Sequence, residues 1–195
     1  MPLKYTRCHN PDLDVVIPAL NITENKYKVY DNISEQDADE LLVQIALETA
    51  AAPSYFEGVY NRGNCMIDGG LIEVAPLLTA TTALKSKRGT PFEDMDVLMI
   101  GVGTETDRGC LTFEKYNSLS LLGLATNVIV PYVTEANELA TVFWGKNMGF
   151  NSFEYFNPCK IQGGLDDTSR IQEAIKEAEK YKDIFTATYT HWLES

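Results

Sequence analysis

Residues 50–84 constrain what this 195-residue chain can fold into more than any other stretch. Ala50-Ala51-Ala52-Pro53-Ser54-Tyr55-Phe56 reads as a helix end, stopped by a proline that lacks the N–H a helix interior needs. After a short loop, Met66-Ile67-Asp68-Gly69-Gly70-Leu71-Ile72 reads as a short buried strand closed by a tight glycine turn. Asp68 stands where the strand stops. A carboxylate held there by two small residues is well placed to reach into a cleft. Val74, Leu77, Leu78, Thr81 and Leu84 then mark an amphipathic helix. Lys85, Lys87 and Arg88 sit at its C-terminus, where the helix dipole favours cations, and Gly89-Thr90-Pro91 closes it.

The flanking segments extend the pattern. Asp14 to Leu20 is an apolar run suited to a buried strand, with Pro18 placing it near an edge or at the strand's end. A turn-rich stretch, Asn21 to Asn25, joins it to the alternating Lys26-Tyr27-Lys28-Val29-Tyr30, which predicts a β-hairpin with one solvated face. Ser34 and Asp37 form a capping-box-like start for a helix whose face is Ala38, Leu41, Leu42, Ile45, Ala46 and Thr49. Val97 to Ile100 is a continuous apolar run, as in strands buried on both faces. Further on, the pattern predicts helices over Leu119–Ala125 and from a Thr134 cap through Trp144, the latter stopped by Gly145. It also predicts a strand within Phe150–Ile161, then a last helix capped by Thr168 with Ile171, Ala174, Ile175 and Ala178 as its buried stripe. Helix, buried strand and helix in alternation point to an α/β layer architecture, and the length predicts one domain over residues 1–195.

Charge narrows the functions. A net charge of −12 leaves no surplus of cations to displace counterions from phosphates, which argues against nucleic acid. It equally argues against electrostatic docking on anionic membranes, while zwitterionic or neutral lipid remains open. The four cysteines, Cys8, Cys65, Cys110 and Cys159, lie far apart and read as free thiols of a reducing compartment. The N-terminus has no apolar core like that of a signal peptide, and no run is long enough for a membrane span, so the expectation is a cytoplasmic protein.

The motifs, taken in order, resemble a known family. Ala51-Ala52-Pro53-Ser54-Tyr55-Phe56 followed by Asp68-Gly69-Gly70 is similar to the second half of patatin-like acyl hydrolases. That family pairs a helix end of this kind with an Asp-Gly-Gly or Asp-Gly-Ala turn. Val97-Leu98-Met99-Ile100-Gly101-Val102-Gly103-Thr104 resembles its next strand and turn, and Leu165-Asp166-Asp167-Thr168-Ser169 resembles its C-terminal helix start. The resemblance implies a three-layer α/β fold with a mainly parallel central sheet, here incomplete because the N-terminal strands are absent. The chain is then expected to equal the C-terminal half of such a domain. It also implies a Ser–Asp dyad that hydrolyses lipid acyl esters, with Asp68 as the dyad's aspartate and Gly69 and Gly70 as its supporting turn. Neither a cofactor nor a metal is called for.

The dyad's other half is missing. None of the serines has glycine two residues before and two after, so there is no nucleophile elbow, and no glycine-rich oxyanion loop follows a strand near the N-terminus. The chain alone is therefore expected to be inactive. It is expected to need a partner: a complementary N-terminal half, a swapped copy of itself, or an upstream segment that covers the open sheet edge. The competing expectation is a non-catalytic patatin-like remnant that binds lipid or protein. Where the family usually carries Asn-Asn-Pro after the turn, this chain has Glu73-Val74-Ala75-Pro76, which removes side-chain bonds that brace the turn.

Other residues carry weaker chemistry. His9 and His191 lie near opposite termini and do not suggest a triad or a metal site. Asp166-Asp167 is explained by negative charge before a helix N-terminus. Gly101-Val102-Gly103 lacks the third glycine of a dinucleotide loop and reads as a turn. Trp144, Phe150, Phe153, Tyr155 and Phe156 suit an acyl pocket, but ordinary core packing accounts for them better.

Overall fold

The computed structural model describes residues 13–33, 35–37, 39–101, 129–158 and 168–194. It is a mixed α/β chain that divides into two compact units, residues 1–97 with 129–153, and residues 98–128 with 154–195.

In the first unit, β1 (Val16–Asn21) and β2 (Lys26–Asp31) form the expected hairpin, from Val16 opposite Asp31 to Asn21 opposite Lys26. The Asn21 side chain accepts from the Glu24 N–H at 3.1 Å, and Asn25 takes the left-handed conformation that closes the loop. A second hairpin, β3 (Val59–Asn61) and β4 (Asn64–Asp68), turns through Arg62 and Gly63. Both have positive φ, which suits a two-residue turn matched to strand twist. β4 pairs antiparallel with β1, Ala19 opposite Asp68, giving the order β2-β1-β4-β3.

The expected mainly parallel central sheet is therefore not met among the described residues. Two tight hairpins force their strands to run antiparallel. Parallel pairing is confined to β5 (Asp96–Ile100) and β6 (Ser152–Phe156), where the Asn151 N–H bonds Met95 O at 3.0 Å and the Gly101 N–H bonds Phe156 O at 2.9 Å. Nor is β5 buried on both faces: Met99 is buried, whereas Asp96 and Ile100 are exposed.

Pro18 lies in an interior strand rather than at an edge. The N and C=O of one strand residue point to the same neighbour. The Pro18 carbonyl lies against Gly69 and accepts the Thr49 hydroxyl at 2.6 Å. Its missing N–H thus falls on the β4 side, just beyond the last β1–β4 pair, where no donor is required.

Helix α1 (Leu42–Thr49) packs on this sheet, and Ala19, Tyr30, Ile45 and Met66 form the core between them. α1 starts later than the sequence suggests. Asp37 does not cap it; its carboxylate turns to β2 and accepts from Lys28 Nζ at 2.6 Å and the Asp31 N–H at 3.3 Å. Ser34 and Ala38 lie outside the described residues.

Helix α2 (Leu77–Arg88) ends on Gly89 in the left-handed conformation, as its sequence predicts. Three contacts align it with the first hairpin: Tyr27 with Thr79, Asp31 with Lys87, and Asp14 with Arg88. From Tyr27 to Asp31 a strand advances about 13 Å, and from Thr79 to Lys87 a helix advances about 12 Å. The matching steps let α2 run alongside β2.

Helix α3 (Val130–Asn147) begins before Thr134 and continues through Gly145. Gly145 does not stop it, because the residue serves packing instead: a side chain there would overlap the Phe153 ring. In the second unit, α4 (Ile171–Glu179) and α5 (Lys182–Glu194) follow a short 3₁₀ turn. Phe156, Phe185 and Tyr189 pack ring against ring at 5.0–5.5 Å. The predicted buried stripe of α4 is not buried, since Ile171 and Ile175 are about half exposed. The expected helix over 119–125 lies outside the described residues.

Candidate active site

Asp68 closes β4, and its backbone N–H bonds Ala51 O at 3.1 Å, which ties the end of α1 to the end of the strand. The chain then enters a single 3₁₀ turn, Gly69–Leu71, which Asp68 caps: its Oδ1 accepts the Gly70 N–H at 2.7 Å. The carboxylate is half-buried, and among the described residues its Oδ2 accepts no hydrogen bond.

The two glycines are needed for room rather than for conformation. Neither has positive φ. Gly69 is buried against β1, and a Cβ there would overlap the Pro18 carbonyl oxygen. At Gly70 a Cβ would approach Asp68 Oδ1 to 3.1 Å, tight enough to disturb the capping bond.

Residues 50–56 reach this turn through the Ala51–Asp68 backbone bond. Ala52-Pro53-Ser54-Tyr55 is a β-turn with the Tyr55 N–H on Ala52 O at 3.1 Å and Ser54 at φ 74°. Proline at the second position and positive φ at the third define type II, a turn that ordinarily places glycine where Ser54 stands. Phe56, just after this turn, and Leu71 and Ile72, just after Asp68, are exposed. Leu71 and Ile72 thus follow the carboxylate by three and four residues with their apolar side chains open to solvent.

The brace expected to be missing is present, built from other residues. Glu73 Oε1 accepts the N–H groups of Leu78 at 2.9 Å and Thr79 at 3.3 Å, so it caps α2 from four residues upstream of the helix. Glu73 Oε2 accepts the Tyr27 hydroxyl at 2.9 Å and the Thr79 hydroxyl. Burial pushes the Tyr27 hydroxyl up to about 12, Thr79 offsets part of this, and Glu73 adds to it. From α3, the Asn137 amide clasps the same loop on both sides. Its Nδ2 donates to Ile72 O at 2.8 Å and its Oδ1 accepts the Val74 N–H at 3.0 Å. Glu73 was findable in sequence as an acid just before a helix. Asn137, 63 residues from Val74, carries no local signal.

The sequence also hid Glu48. It is fully buried, and its carboxyl accepts the Tyr30 hydroxyl, Gln44 Nε2 at 2.9 Å and Asn61 Nδ2 at 2.8 Å. Burial first, and Glu48 second, drive the Tyr30 hydroxyl well above the ordinary tyrosine range.

The aromatic candidates have contacts of their own. Trp144 is exposed beside Phe143, Phe150 packs with Phe92 and Phe153, and Phe156 belongs to the second unit's ring cluster. Tyr155 accepts from the Asn157 amide at 2.7 Å. His9, Gly103, Asp166, Asp167, Cys8, Cys110 and Cys159 lie outside the described residues, and His191 lies in α5. Cys65 is a free thiol. Among the described residues no group of three or more His, Cys, Asp and Glu could hold a metal, and no helix is long and apolar enough to cross a membrane.

Residues 4–81 match the model of the Patatin-like phospholipase family. The match covers less than half of the chain and takes in the 51–56 segment and the Asp68-Gly69-Gly70 turn. The 97–104 and 165–169 motifs lie beyond it. No curated protein matches the chain.

Proposed function

We propose that this chain is the base-bearing part of a patatin-like lipid acyl hydrolase, corresponding to the C-terminal half of that domain, with residues 1–195 acting as one domain. Asp68 is its proton acceptor, and the serine nucleophile and oxyanion donors are supplied by an upstream segment or by a partner chain. One observation carries the reading: within the family-matched segment, Asp68 is held through Oδ1 by the Gly70 N–H while Oδ2 stays open.

A serine hydroxyl within ~3 Å of Oδ2 would give up its proton there while its oxygen attacks an ester carbonyl. The alcohol leaves with a proton and an acyl-serine forms. Water, deprotonated by the same carboxylate, then releases the fatty acid and restores the serine. Phe56, Leu71 and Ile72 supply apolar surface for the acyl chain. Gly69 and Gly70 hold the carboxylate's angle.

The test is coexpression with the polypeptide encoded immediately upstream, assayed on a short-chain p-nitrophenyl ester and on phosphatidylcholine. The expected result is no hydrolysis by the chain alone, hydrolysis by the pair, and a loss of ~10²–10⁴-fold in the pair with Asp68→Asn. Hydrolysis by the pure chain that Asp68→Asn abolishes would place the nucleophile within these 195 residues and refute the reading.

A second reading has its own support. The Asp68–Gly70 bond explains the aspartate as a turn former, without chemistry. On that reading the chain is a lipid- or protein-binding remnant, and Asp68→Asn leaves its binding to neutral vesicles unchanged.

A further inference from the structure

Helix α3 is amphipathic in the inverted sense. Its inward positions are polar or small: Asn137, Glu138 and Thr141 are half-buried or buried, and Gly145 receives Phe153. Its outward positions are apolar, with Ile129, Val133, Leu139, Phe143 and Trp144 all 51–62% exposed. Ile129, Val133, Ala136, Ala140 and Phe143 recur at alternating steps of four and three, the spacing of a helix seam that packs against another helix. No charged residue stands on the stripe until Lys146.

We propose that this stripe is the contact between two copies of the chain, paired antiparallel about a twofold axis through Ala136. The inference is independent of the hydrolase reading. Antiparallel pairing about residue 136 sets Ile129 against the partner's Phe143 and Val133 between the partner's Leu139 and Ala140. Ala136 meets its own copy, and a small residue at the crossing lets the backbones approach. The five large side chains offer roughly 600 Å² per copy, near the ~800 Å² per partner of a stable interface.

Charge bears on where two copies can meet and on whether lipid competes. Copies of net charge −12 repel one another, and an uncharged stripe is where that repulsion at contact is least. A lipid surface fits less well, because helices that lie on membranes carry Lys and Arg beside the apolar face. Here the flanking charges are Glu135 and a single Lys146.

The test is sedimentation equilibrium of the full chain from about 1 to 100 µM, with Leu139→Glu/Phe143→Glu beside the wild type. The expected wild-type mass is twice the 21.8 kDa of one chain, falling to one chain in the variant. Both substituted positions are exposed, so the far-ultraviolet circular dichroism stays unchanged, and the melting temperature falls only by the concentration-dependent part that the dimer contributes. As a second readout, Ala136→Cys should form a disulfide-linked dimer under mild oxidation, above the background set by the native cysteines. A wild type that stays monomeric at 100 µM overturns the proposal, as does a dimer that survives the double substitution. A monomer that floats with phosphatidylcholine vesicles through this face would make the occupant lipid, and would overturn it too.

Discussion

Glu48 and Asp68 lie in neighbouring segments of the first unit, three residues and none away from the Ala51–Asp68 backbone bond, yet their surroundings differ in kind. Glu48 is sealed at 0% exposure with three side-chain donors converging on it. Asp68 is half-buried, with one oxygen engaged by a backbone N–H. A buried polar group left without partners costs far more than a satisfied one contributes, so Glu48 is fixed by its network. Asp68 keeps one oxygen for work that the fold does not require. The difference separates a carboxyl that holds the structure from one that the structure holds.

The largest break in that comparison comes from Glu48→Ala. It leaves the Tyr30 hydroxyl and the Gln44 and Asn61 amides facing a void, and should cost about 3–5 kcal/mol in urea or guanidinium unfolding. Asn137→Ala should cost about 1–2 kcal/mol and, more tellingly, should speed hydrogen exchange at the Val74 amide, whose acceptor it removes. Asp68→Asn keeps the acceptor for the Gly70 N–H and should change stability by less than about 1 kcal/mol. If Asp68→Asn proves as damaging as Glu48→Ala, the contrast between the two carboxyls collapses.

Alkaline pH sharpens the picture from the side of the buried phenols. The hydroxyls of Tyr27 and Tyr30 both titrate above the ordinary value of about 10 because burial disfavours the phenolate. The folded protein therefore binds more protons than the unfolded chain above about pH 10. Stability is complete below pH 10 and declines as pH rises through the folded value, about 12 for Tyr27. Unfolding midpoints from pH 8 to 12 should show the decline, and Tyr27→Phe should make it shallower. A midpoint flat across that range would contradict the burial assigned to both rings.

What could be read from the residues beforehand follows the range of the forces. The first hairpin, the Gly89 stop and the Asp68 turn rest on interactions within a few positions, and local chemistry revealed them. Strand direction did not yield so easily. A short apolar run looks alike in a parallel or an antiparallel sheet, and the Arg62-Gly63 turn that decides the matter is a two-residue signal. The helix faces misled for a related reason. On α4 the apolar period is regular but its isoleucines are exposed, and α1 buries Glu48 beside Ile45 on the stripe expected to be apolar. Periodicity locates a face without saying what meets it. Asn137 marks the limit: its role depends on a loop 63 residues earlier, and nothing near it announces the contact.

The Asn137 clasp also sets an order of events during synthesis. The sheet, the aspartate and the start of α2 are all encoded before residue 88, but the Ile72 carbonyl and Val74 amide must wait for a side chain from α3. At about 5–20 residues per second, translation leaves that loop solvated for several seconds after its own residues are made. A nascent chain caught in the interval would have its carboxylate in place on a hinge still free to swing.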